Sequence, residues 1–89
     1  MTHEMSLINN LVRKIEHIAA EQNALKVTAV TVQLGALSHI SPGHFRGHFV
    51  EGVVGTVAEG ARLDIEVGQD TDDPHAQEIM LMSVNVDLA

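Results

Sequence analysis

The chain has 89 residues, a formal net charge of −7 at neutral pH and no cysteine. This length allows one small domain spanning residues 1–89, and without cysteine there is no disulfide, thiolate nucleophile or cysteine-ligated zinc site. The acidic charge argues against nucleic acid or an anionic membrane as a partner. No apolar run is long enough to cross a bilayer, and the first residues lack the pattern of a secretory signal. We therefore expect a soluble cytoplasmic protein.

The first four residues, Met1, Thr2, His3 and Glu4, contain a potential metal-ligand set. A terminal amine, two deprotonated backbone amides and the His3 imidazole would place four nitrogens around one ion. Square-planar nitrogen coordination suits Ni(II) and Cu(II), whereas zinc prefers a tetrahedral site. The alternative interpretation is a solvated histidine followed by a glutamate that leads into a helix.

Apolar residues at spacings of three and four predict a first helix over residues 6–23. Its buried side should consist of Leu7, Ile8, Leu11, Val12, Ile15, Ile18 and Ala19. His17 should lie on the exposed side and pair with Glu21, four residues further along the helix.

A second helix is predicted to begin after Ser41, which can cap it, with Pro42 in the first turn. It should end at Gly55, and its glycines make it dependent on tertiary packing or leave room for another backbone. Its buried side should consist of Phe45, Phe49, Val50, Val53 and Val54.

Three further segments predict strands over residues 26–34, 62–67 and 78–88. The core face of the last strand should be formed by Met80, Met82, Val84, Val86 and Leu88. We interpret the two methionines as core filler and not as a soft-metal site. The strand–helix–strand unit predicts a parallel pair with a right-handed crossover, and the last two strands should form an antiparallel hairpin. The fold class is α/β (α+β): a two-layer sandwich in the order α-β-α-β-β, with a three-stranded mixed sheet and both helices on one face.

Three polar residues of the second helix, His44, His48 and Glu51, share one side at spacings of four and three. Two histidines at this spacing can chelate a metal and a carboxylate one turn on can join them, although an ordinary polar helix face has the same pattern. His39 lies in the loop before the helix, where functional residues are frequent. His39 and His44 are therefore secondary candidates for metal ligands. An enzyme is not expected, because Ser38 and His39 have no identifiable third group to orient them.

Several blocks of sequence occur in an order and spacing that resemble the HypA/HybF family of hydrogenase nickel-incorporation proteins. The blocks are His3–Leu7, Val27–Thr28, Leu34–Ser38, Pro42, Phe45–Arg46, Phe49, Gly55–Ala61 and Leu63–Glu66. The resemblance implies a metallochaperone that binds Ni(II) through the terminal amine, backbone amides and imidazole of a Met-His-Glu start, which His3 and Glu4 match. It also implies delivery of nickel to [NiFe] hydrogenase, with the hydrogenase large subunit or a maturation GTPase as partner and urease as a second possible client.

Three departures from the family pattern affect this interpretation. Thr2 is inserted before the histidine, although removal of Met1 would restore histidine to the second position. The family's zinc module, with two cysteine pairs, is replaced by a short loop at residues 68–77, so no zinc is expected. Ser41 stands where an acidic residue is common in the family. The alternative function is a HypA-like protein-binding or scaffold subunit of a hydrogenase system without metal delivery. For either function we expect association with a partner or self-association into a homo-oligomer, because a domain of this size is marginally stable alone.

Overall fold

The computed structural model describes residues 3–88, and it describes the side chains of residues 6–88. The elements are α1 (His3–Glu21), β1 (Ala24–Leu34), α2 (Pro42–Gly52), β2 (Arg62–Val67) and β3 (Ile79–Leu88). Their kinds and order are as predicted. Helix α1 begins at His3 and not near residue 6, and α2 ends at Gly52 and not at Gly55, with Val53 as its C-cap.

The sheet has the strand order β2-β1-β3, with β1 parallel to β2 and antiparallel to β3. A three-stranded mixed sheet is confirmed, but the predicted hairpin between the last two strands is wrong. After β2 the chain crosses the end of β1 and returns along its other side. Two hydrogen bonds hold this crossing: the Gly35 N–H donates to the Glu78 carbonyl (2.9 Å) and the Leu37 N–H donates to the Ala76 carbonyl (2.7 Å). Strand β1 thus has a hydrogen-bonded neighbour on both sides and lies in the centre of the sheet.

An irregularity in the pairing of β1 with β3 changes which side chains of β3 face the core. Thr31 pairs with Ser83 and Val32 pairs with Leu81, which leaves Met82 as an extra residue on β3. An extra residue reverses the alternation of side chains along a strand. The β3 residues packed against the core are consequently Ile79, Leu81, Val84 and Val86.

The predicted core face of β3 is therefore correct for two of its five residues. Val84 and Val86 pack against the core as predicted, but Met82 is 51% exposed and Leu88 is 60% exposed, and Met80 does not belong to the core cluster. The prediction that the methionines fill the core is wrong.

Both helices lie on one face of the sheet and enclose a single core. Helix α1 contacts β1, β3 and α2, and α2 contacts β2. Phe45 and Phe49 are fully buried, with ring centroids 6.0 Å apart. Val50 and Val54, predicted to be buried with them, are exposed because only the stripe of Phe45, Phe49 and Val53 faces inward. Within residues 3–88 neither helix combines the length and apolar character needed to cross a membrane.

Candidate metal-binding site

The predicted nickel ligands belong to the amino-terminal end of the chain, where α1 begins at His3. Met1 and Thr2 lie outside the described residues, as do the side chains of His3 and Glu4, so the coordination of a metal there stays a prediction. The position of the helix start has a chemical consequence. Backbone N–H groups of the first helical turn have no acceptor within the helix. A metal ion can therefore displace the protons of those amides into solvent without breaking a helical hydrogen bond.

The first half of α1 packs into the core and also contacts α2. Ile8 is fully buried, and Leu11 and Val12 are nearly so. A Cβ added at Gly52, at the end of α2, would lie in ordinary van der Waals contact with the Cγ2 atoms of Ile8 (3.6 Å) and Val12 (3.7 Å). Helix α2 therefore packs directly against α1 one to three turns from its start. On the same helix His17 Nε2 lies 3.7 Å from Glu21 Oε1, which confirms the predicted exposed pair.

Helix α2 carries one of the two secondary candidates, His44, at its amino-terminal end. The Ser41 hydroxyl accepts a hydrogen bond from the His44 N–H (3.2 Å), and Pro42 occupies the first turn, so the predicted cap is confirmed. The Nε2 atoms of His44 and His48 are 3.0 Å apart, and the two rings meet edge to face with centroids 4.6 Å apart. Glu51 does not complete a ligand set, because no group of three His, Cys, Asp or Glu among the described residues could hold a metal ion.

His39 lies in an exposed loop position with a left-handed backbone conformation, φ +60°. Such a conformation costs a residue other than glycine about 1–2 kcal/mol. His39, Ile40, Ser41 and His44 line one shallow, open depression. The two candidate histidines, His39 and His44, therefore lie beside the same depression. The His44 ring packs against the ring of His48.

A histidine–glutamate pair that the sequence reasoning missed lies between β2 and β3. His75 Nδ1 lies 2.9 Å from Glu78 Oε2. This hydrogen bond, and secondly the negative charge of Glu78, raise the pKa of His75 above its ordinary value. The spacing of three residues between a histidine and a glutamate was the signal that could have revealed the pair.

Backbone and side-chain hydrogen bonds hold this cysteine-free loop. The Asp70 carboxylate accepts from the Asp72 N–H (2.9 Å), and the Asp73 carboxylate accepts from the His75 N–H (2.8 Å). Ala76 is buried where the loop crosses the end of β1. The loop is thus ordered by interactions that require no bound metal.

Comparison with known proteins identifies a family that matches most of the chain. Residues 1–71 match the family described as "HypA: Hydrogenase/urease nickel incorporation, metallochaperone". The chain is 42% identical over 65 residues to the hydrogenase maturation factor HypA of Methylocella silvestris, a match that covers 73% of this chain and 58% of the relative. It is 40% identical over 65 residues to that of Archaeoglobus fulgidus, covering 73% of this chain and 59% of the relative.

The fold is also found in a solved structure. The solution structure of the Ni metallochaperone HypA from Helicobacter pylori superposes with a TM-score of 0.82, over 99% of this chain and 100% of that chain, at 20% identity. At this identity the likeness concerns the fold, and it includes β3, which follows the segment matched by the family.

The fold is shared with a solved HypA structure, and the segment that matches the family, residues 1–71, is well over half of the chain. The chain belongs to the HypA family, as the resemblance of its sequence blocks predicts. It spans less than two thirds of the length of the curated relatives it matches.

Proposed function

We propose that the protein is a nickel-binding accessory factor for the maturation of [NiFe] hydrogenase and that Ni(II) binds at its amino-terminal segment. The observation that carries this proposal is that the family match begins at residue 1 and continues to residue 71. The match therefore includes His3 and Glu4, the residues that resemble the nickel-binding start of the family.

The electrostatics of the helix start decide which form of the complex is favourable. The amino-terminal end of a helix carries a partial positive charge, which repels a dication. In the complex with a terminal amine, two deprotonated amides and an imidazole, the two amide charges neutralise the metal ion. The net complex is neutral, so the helix end does not oppose its formation. A start at Thr2 has only the His3 amide between the terminal amine and the imidazole, so the same neutral complex would require the Glu4 amide as its second deprotonated amide.

The second candidate function is a scaffold subunit that binds a hydrogenase-system partner without delivering metal. The observations that favour it are the absence of cysteine and the presence of Ser41 where the family commonly has an acidic residue. With a net charge of −7, the protein fits a partner surface rich in Lys or Arg, for which we propose the hydrogenase large subunit or the maturation GTPase. Such an association would weaken as salt concentration rises.

Nickel titration of the untagged protein tests the proposal. Calorimetry and the visible d–d bands of Ni(II) are suitable probes, because the chain has no Trp or Tyr. Mass spectrometry of the same sample identifies the first residue. We expect His3→Ala to remove high-affinity binding and His17→Ala, an exposed histidine on the same helix, to leave it unchanged. Binding should weaken as the pH falls, because only the neutral imidazole coordinates a metal.

The two candidate functions differ in what His3→Ala does to partner binding and to hydrogenase activity in the cell. For a nickel chaperone the variant still binds its partner but no longer supports nickel insertion. For a scaffold, partner binding and hydrogenase maturation are both retained. Equal nickel affinity of the wild type and His3→Ala would contradict the proposed nickel site.

A further inference from the structure

The side chains of His44 and His48 are arranged as a pair of metal ligands on α2. They are one helical turn apart, and their Nε2 atoms lie 3.0 Å apart. Two neutral imidazoles reach this separation when one ring donates its Nε2 proton to the Nε2 lone pair of the other. When the first ring carries its proton on Nδ1 instead, both Nε2 atoms present a lone pair that a metal ion can bind. One observation therefore fits both a hydrogen bond in the metal-free protein and a chelate in the metal-bound protein.

The nitrogen separation selects among metal geometries. With metal–nitrogen bonds of about 2.05 Å, two nitrogens 3.0 Å apart subtend an angle of about 94° at the metal. A tetrahedral ion with the same bond length would require a separation of roughly 3.3 Å. A nitrogen separation of 3.0 Å thus corresponds to an angle close to the right angle of square-planar and octahedral complexes, which nickel and copper form.

We propose that His44 and His48 form a second metal site, a bidentate bis-imidazole site for Ni(II) or Cu(II) on the exposed side of α2. It is distinct from the amino-terminal site of the proposed function, because the two sites have no ligand in common. It also differs from the ligand sets that the sequence suggested, since neither His39, in the loop before α2, nor Glu51, on α2, takes part.

The core residues of α2 hold in place the helix that carries the two imidazoles. Each histidine immediately precedes a buried phenylalanine, Phe45 or Phe49, so the packing of the rings in the core fixes the helix from which both imidazoles project. Ser41 fixes the first turn through the backbone N–H of His44. A metal bound across one turn would in return stabilise a helix that contains three glycines within its bounds.

The site has the chemistry of exchangeable binding and not of catalysis. Among residues 6–88 no group of three His, Cys, Asp or Glu side chains includes the two histidines, and two imidazoles fill only part of the coordination shell of Ni(II) or Cu(II). The spacing is that of a helical zinc-protease motif, in which a glutamate follows the first histidine and acts as general base. Here Phe45 occupies that position. We therefore expect weak binding that releases the metal readily.

Nickel titration in the His3→Ala background separates this site from the amino-terminal one. We expect His3→Ala protein to retain one equivalent of weaker Ni(II) binding, and a further His44→Ala or His48→Ala substitution to reduce that affinity at least tenfold. His17→Ala in the same background is the matched control and should change the affinity less than twofold. Far-ultraviolet circular dichroism verifies that each variant is folded.

Paramagnetic broadening by Ni(II) provides a second measurement on the folded protein. Imidazole and amide resonances of residues 44–48 should broaden in His3→Ala protein, whereas those of His75 should not. Loss of all nickel binding in His3→Ala would overturn the second site and leave the proposed function standing. Nickel binding that depends on His44 and His48 but not on His3 would support the second site and contradict the proposed function. Unchanged affinity in His44→Ala and His48→Ala would also overturn the second site.

Discussion

Gly35 is the position where the structure predicts the largest effect of adding a single methyl group. Gly35 directly follows β1, where the loop that precedes β3 crosses the end of that strand. A Cβ built on Gly35 would lie 2.7 Å from the His75 carbonyl oxygen and still closer to that of Ala76. These neighbours are backbone atoms, and two hydrogen bonds fix them beside Gly35 and Leu37. Gly35→Ala must therefore push the crossing segment away from the end of β1.

The magnitude follows from these contacts. Forcing an extra methyl group into a packed site costs about 1–3 kcal/mol, and loss of one crossing hydrogen bond costs about 1 kcal/mol. We expect Gly35→Ala to lower the free energy of unfolding by about 3 kcal/mol. For a domain of this size each kcal/mol shifts the thermal midpoint by roughly 4–8 °C, so the midpoint should fall by about 10–25 °C. Urea and thermal unfolding followed by circular dichroism at 222 nm measure both quantities.

Gly47→Ala is the matched control, because a Cβ at Gly47, within α2, meets nothing within 4 Å. Replacing a glycine inside a helix by alanine stabilises a protein by about 0.5–1 kcal/mol. The two glycine-to-alanine substitutions should therefore change the free energy of unfolding in opposite directions. A Gly35→Ala variant within about 0.5 kcal/mol of the wild type, the usual range of a neutral surface substitution, would refute the packing described for this crossing.

Three further predictions concern the helix cap, the loop and zinc. Ser41→Ala should lower the free energy of unfolding by about 1 kcal/mol through loss of the cap, measured by urea unfolding, whereas Ser38→Ala should change it little; equal effects would contradict the cap. Glu78→Gln should lower the pKa of His75, followed by an NMR titration of the imidazole, because the hydrogen bond and the charge of Glu78 raise that pKa. Since the folded pKa exceeds the ordinary value of about 6.5, the pair contributes its stability fully below that pH and loses it as the pH rises through the folded pKa, so an unshifted titration would argue against the pair. Dialysis against a strong chelator should leave the thermal midpoint nearly unchanged, because no cysteine can hold a structural zinc; a large decrease would reveal a zinc site built from other ligands.

The candidate site was only partly accessible to sequence reasoning. The histidine near the start of the chain and the pair on α2 follow from residue types and spacing alone. Spacing could not distinguish a third ligand from a neighbour, and Glu51 shares the side of His44 and His48 without joining them. The orientation of the rings decides which nitrogens lie close together, and it became visible only in the structure, where the Nε2 atoms of His44 and His48 are 3.0 Å apart. His75 and Glu78 were missed because their loop contained no recognised motif.

Local signals in the sequence determined the five elements, the Ser41 cap, the bounds of β2 and the family. The elements, the cap and the bounds depend on residues that are close together in the chain: apolar periodicity, a capping hydroxyl or a proline. The family depends on short blocks that occur in a fixed order along the chain. The strand order and the faces of β3 depend on interactions between distant segments. Pairing with β1 placed β3 on the side away from β2, and one extra residue at Met82 reversed the inward face of that strand. Only the tertiary structure decided these features, because hydrogen-bond register and competition for the two sides of the central strand leave no local pattern in the sequence.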